Sequence, residues 1–106
     1  MTKRFAMFAV SVVLAPAAWS ANVAAGKADY DKACKSCHGA TGAANPAIAK
    51  MMKVEMNDLG SAQVQAQSDA AIKSIIETGK GKMHPVTTVT GSSIDDVIAY
   101  VRSLKK

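Results

Sequence analysis

Aromatic residues are scarce in this chain. Among 106 residues there are one tryptophan, two phenylalanines and two tyrosines. Aromatic side chains usually supply much of the area a small core buries, so their scarcity is a structural problem. Cysteine is also scarce. The chain has two, Cys34 and Cys37, too few for a four-thiolate zinc site or a dense disulfide framework. Internal repeats, low-complexity segments and linkers long enough to divide the chain are lacking too. No alternating pattern predicts a strand beyond the short VTTVT stretch. These absences leave a single small, mainly helical domain.

The first segment reads as separate from that domain. Lys3 and Arg4 precede an apolar run from Phe5 to Ala15, which Pro16 breaks before the small residues Ala17, Ala18, Ser20 and Ala21. This is the order of a Sec-type secretory signal peptide. The run is about half the roughly 20 residues a spanning helix needs, which disfavours stable membrane insertion. Residues 1–20 are expected to be cleaved, with a cut as late as residue 25 also compatible. Residues 21–106 then form the exported domain. Losing the segment removes Phe5, Phe8 and Trp19, so Tyr30 and Tyr100 are the remaining aromatics. Losing Lys3 and Arg4 takes the formal charge from +5 to +3. A domain of about 85 residues buries little surface unaided and often needs a staple. A bulky apolar group supplied from outside would meet that need.

Three helices are expected. The first covers about residues 26–37, where Tyr30, Ala33, Cys34 and Cys37 recur at helical spacing and Gly39 can stop it. The second is SDAAIKSIIETG, residues 68–79, with Ser68 as N-cap, Asp69 in the first turn and Gly79 at the end. The third is SSIDDVIAYVRSLKK, residues 92–106, with Ser93 as cap and Lys105 and Lys106 closing it. Ile94, Val97, Ile98, Val101 and Leu104 form the clearest apolar stripe in the chain. A shorter helix is expected over 47–53. The stretches GATGAANP and TGKGKMHPVTTVTG read as loops. The fold class is therefore all-α with long loops.

Both cysteines and one of the two histidines lie in ACKSCHGATG, residues 33–42. A disulfide between Cys34 and Cys37 would close a very small loop and restrain little of the unfolded chain. A zinc site lacks its second pair of ligands. A thioredoxin-like dithiol lacks its βαβ setting. The spacing C-x-x-C-H uses all three residues and is the attachment motif of a c-type haem. The thiols of Cys34 and Cys37 form thioethers, and His38 becomes the proximal iron ligand. A porphyrin at the centre would also replace the missing aromatics. For the second axial ligand the chain offers Met51, Met52, Met56, Met83 and His84. Met83 is favoured because GKGKMHPV carries two glycines and a proline, which allow close approach and then a fixed turn. Methionine would raise the reduction potential, whereas His84 would lower it.

Gly26 and Tyr30 before CKSCHG, the proline of NPAI, GKGKM and a last helix with Tyr100 together resemble the class I c-type cytochromes. The likeness is to the small bacterial periplasmic ones and covers about residues 26–106. It implies the small cytochrome c fold, with three main helices and loops wrapped around one covalently attached haem c. It implies that Gly26 and Tyr30 meet Tyr100 where the first and last helices cross. It also implies that the Pro46 carbonyl accepts the Nδ1–H of His38. The implied function is a soluble, monomeric periplasmic electron carrier without catalytic residues. Redox proteins, one donor and one acceptor, would dock transiently at the haem edge. Lys32, Lys35, Lys50, Lys53, Lys80 and Lys82 could steer them. Nothing in the sequence favours nucleic acid. Two other functions fit the same motif: a haem sensor or gas-binding protein with a labile sixth ligand, and an electron-entry subunit of a larger oxidoreductase.

Overall fold

A computed structural model describes residues 21–106; the expected signal peptide, residues 1–20, lies outside the described residues. Six helices follow one another: α1 Val23–Ala33, α2 Lys35–His38, α3 Pro46–Met52, α4 Ala62–Gln65, α5 Asp69–Thr78 and α6 Ser92–Ser103. Among the described residues there is no strand, only an isolated antiparallel bridge between Lys80 and Met83.

The helix starts follow local chemistry. Asn22 caps α1, its side chain accepting from the Ala25 N–H at 3.0 Å. Ser61 caps α4 through the Val64 N–H, and Ser68 caps α5 through the Ala71 N–H. Asn45 caps α3, and Pro46 occupies its first turn, where a missing N–H costs nothing. The expected Ser93 cap on α6 is not made. Gly91 takes the cap position instead, so the helix begins at Ser92, two residues before a Ser93 cap would start it, and the backbone carbonyls of Thr90 and Gly91 receive the Ser93 and Ile94 N–H groups. At the other end the helix stops at Ser103. The Lys106 N–H then turns back to the Gly60 carbonyl, while its ammonium pairs with Asp58.

The core forms where α6 meets α1 and α5. Ile72, Ile76, Val89, Ile94, Val97, Ile98 and Val101 are buried together. Gly26 lets α1 approach α6 closely. A Cβ there would lie 1.9 Å from the Asp96 carbonyl oxygen. Beside this contact Tyr30 is fully buried, and its ring stands 4.9 Å from that of Tyr100 at a 59° tilt. Both hydroxyls reach the loop after the histidine: Tyr30 donates to the Gly39 carbonyl at 2.6 Å and Tyr100 to the Ala40 carbonyl at 3.1 Å.

The continuous first helix expected over 26–37 is broken at Cys34, whose φ of −122° leaves the helical region. The Tyr30–Gly39 bond supplies the reason. Nine residues of straight helix span about 13–14 Å, beyond the reach of a tyrosine hydroxyl. The chain must therefore bend between the two. α4 was not expected either. With four residues and one buried apolar side chain, Val64, it is too short to show a period.

Candidate haem-attachment site

Cys34 stands at the break between α1 and α2, and Cys37 and His38 lie on α2. The Cys34 carbonyl receives the N–H groups of both Cys37 and His38, at 3.2 and 2.9 Å. This local turn brings all three side chains into one short stretch. Asn45 fastens it from the far side. Its N–H donates to the Cys37 carbonyl at 2.9 Å, its amide donates to the Ser36 carbonyl, and its side-chain oxygen caps α3. The sequence signal for Asn45 was an N-cap residue directly before a proline, which predicts the helix start but not the tie to the cysteine turn.

Both cysteines are half-buried free thiols. Burial, with Cys37 and Asp29 adding to it, pushes the Cys34 thiol up to about 11. Redox-active dithiols need the opposite shift, so this pair is poorly suited to thiolate exchange. Among the described residues no three His, Cys, Asp or Glu side chains cluster to hold a metal ion. The zinc reading therefore gains nothing from the fold.

His38 is half-buried, and its burial lowers the imidazole pKa. The neutral ring, the form that binds metals, is favoured. Its Nδ1 is buried without a hydrogen-bond partner. The bond to the Pro46 carbonyl that the resemblance implies is not made, and Pro46 serves at the start of α3. A buried polar atom without a partner is uncommon and calls for an explanation.

The wall beyond the turn is only partly covered. From Ala43 to Leu59 no residue is buried. Yet this stretch holds Ile48, Met51, Met52, Val54 and Met56, and Met51 is 71% exposed. α3 contributes no buried residue at all. The segment from Glu77 to Thr88 also has none. In it, Lys80 and Met83 exchange both backbone hydrogen bonds at 3.0 Å, closing a two-residue turn. Gly81, with φ +57°, is the first central residue, as in a type II′ turn. Gly79, with φ +77°, lets the Met83 carbonyl approach to 2.4 Å of where a Cβ would sit. Met83 is half-buried and His84 exposed.

Free thiols, an unpartnered imidazole and partly covered apolar stretches fit a flat apolar group tethered at the turn. Burying that surface under such a group would be favourable at about 25 cal/mol per Å². Lys32, Lys35, Lys50, Lys53, Lys80 and Lys82 are all exposed. None of them makes an ion pair among the described residues, whereas Lys27, Lys73, Arg102 and Lys106 do. No helix among the described residues is long and apolar enough to cross a membrane.

Comparison with known proteins agrees with the chemistry of this turn. The family described as cytochrome c oxidase, cbb3-type, subunit III, matches residues 21–101. A solved structure described as KustC0563 c-type cytochrome is similar with a TM-score of 0.65 and 26% identity. The match covers 76% of this chain and 98% of that one. No curated protein matches.

Proposed function

The chain belongs to the cytochrome c family described as cbb3-type oxidase subunit III and is a small c-type cytochrome with covalently bound haem c, and from that premise we propose that it carries single electrons between redox proteins. The observation that carries this reading is the C-x-x-C-H turn beside apolar stretches that the protein covers only in part. Cys34 and Cys37 would tether the haem, and His38 and Met83 would hold its iron. When bound, the haem supplies a one-electron couple at its iron. The protein holds the neutral imidazole of His38 in a half-buried place and presents the Met83 turn. Half-burial of Met83 and exposure of His84 favour the thioether over the second imidazole. Lys32, Lys35, Lys50, Lys53, Lys80 and Lys82, exposed and none of them in an ion pair among the described residues, supply a positive field that steers acidic partners and makes association salt-sensitive.

The test is an absorption spectrum of the ferric holoprotein. Met83→Ala should abolish the methionine-to-iron charge-transfer band and allow carbon monoxide to bind the ferrous form. An unchanged spectrum would remove Met83 from the site and favour another ligand.

Export to the periplasm is part of the proposal. Cleavage after Ser20 would keep Asn22, which caps α1 and whose N–H donates to Asp96 at 2.8 Å. Cleavage after Ala25 would remove that cap, a loss of about 1 kcal/mol. The exported protein should therefore begin at Ala21 in N-terminal sequencing; a start at Gly26 would count against this reading.

A second reading is favoured by the family description, which names an oxidase subunit. The chain would then act as the electron-entry part of a larger assembly. Size-exclusion of protein taken from its native source separates the two, since a free carrier elutes alone.

A further inference from the structure

The Met83 turn is attached to the fold at one base. On one side the Gly79 N–H donates to the Ile75 carbonyl, and on the other the Val86 N–H donates to the Ile76 carbonyl. Both acceptors lie on α5. Between these points the turn bonds to itself, through Lys80 and Met83, and buries no residue. A hairpin held at one base can swing about it.

One side chain opposes that swing. The Lys82 ammonium donates to the carbonyl of Met52, the last residue of α3, thirty positions away in sequence. The carbonyl is available because the helix ends there. The N–H groups of Glu55 and Met56, which would reach it if the helix continued, make no backbone hydrogen bond among the described residues. Helix ends leave carbonyls of this kind without partners, and a cation near them is favoured. Lys82 thus joins two stretches in which no residue is buried: the end of α3 and the turn that carries Met83.

We infer that Lys82 is a positioning residue for the sixth ligand, a latch that holds the Met83 turn against the end of α3. The inference rests on the reading of Met83 as that ligand. Lys82 itself is not assigned as a ligand. It acts because Met83 is its immediate neighbour, and because both backbone groups of Met83 are already committed to the turn. Where the turn goes, Met83 goes. Opening the latch frees the turn to move away, and an external ligand can then compete for the vacated position.

The experiment compares ferric holoproteins by the methionine charge-transfer band and by imidazole titration. Lys82→Met keeps the length and apolar stem but removes the donor. It should weaken the band and raise imidazole affinity about fivefold, the scale of one exposed charge-assisted hydrogen bond. Lys82→Arg, which can still donate to a carbonyl, should restore both. Lys80→Met removes the same charge from the same turn, but the Lys80 side chain makes no bond to α3, so its affinity should stay at the wild-type value. If Lys82→Met matches Lys80→Met in both readouts, the latch is wrong. A wild-type protein without the band overturns the Met83 assignment and the latch together. A wild-type band that Met83→Ala abolishes and Lys82→Met leaves intact overturns the latch alone.

Discussion

The crossing of α1 with α6 and the stretch from Ala43 to Leu59 flank the same cysteine turn, but they are built differently. At the crossing, protein covers protein. Tyr30 is fully buried, Val97 is 2% exposed, and Gly26 meets the Asp96 backbone directly. In the second stretch Ile48, Met52, Val54 and Met56 are only partly covered, and no residue is buried. One side obtains its stability from complementary side chains, whereas the other leaves its apolar side chains only partly covered by the polypeptide. The cysteine turn joins them, with Tyr30 holding Gly39 on one side and Asn45 holding Cys37 on the other.

This contrast can be broken by substitution. The largest effect is expected at Gly26→Ala. The new Cβ would fall 1.9 Å from a backbone oxygen, so the helices must separate. A loss of about 3 kcal/mol or more is expected in denaturant unfolding of the holoprotein. A small change would mean that α1 and α6 can slide without penalty. The next comparison sets Ile98→Ala, at a position 4% exposed, against Met51→Ala, at one 71% exposed. The first should cost about 2–4 kcal/mol and the second no more than about 0.5 kcal/mol. Equal losses would show that α3 is packed as tightly as the crossing and would erase the distinction.

The two regions also differ in how far the sequence revealed them. α5 and α6 were legible because their apolar residues recur at helical spacing and their ends carry ordinary signals, such as Ser68 and Gly79. The attachment turn was legible because its three residues are adjacent in sequence. The bend at Cys34 was not, because it depends on a tyrosine bond across nine residues. The α6 start was misplaced because two serines and a glycine precede the stripe, and local pattern does not choose among them. Lys82 read as one surface lysine among six, since its partner is a carbonyl thirty residues away.

The sequence by itself determined the chemistry of attachment, the all-α class and the apolar stripes. Each of these follows from neighbouring residues and from periods of three or four. Only the tertiary structure decided which apolar residues find protein cover and which do not. It decided too that the His38 Nδ1 is left without a partner, and that Lys82 spans from the methionine turn to α3. Those outcomes depend on which distant segments meet. That meeting is governed by burial of the whole chain and not by the order of residues in any short stretch of it.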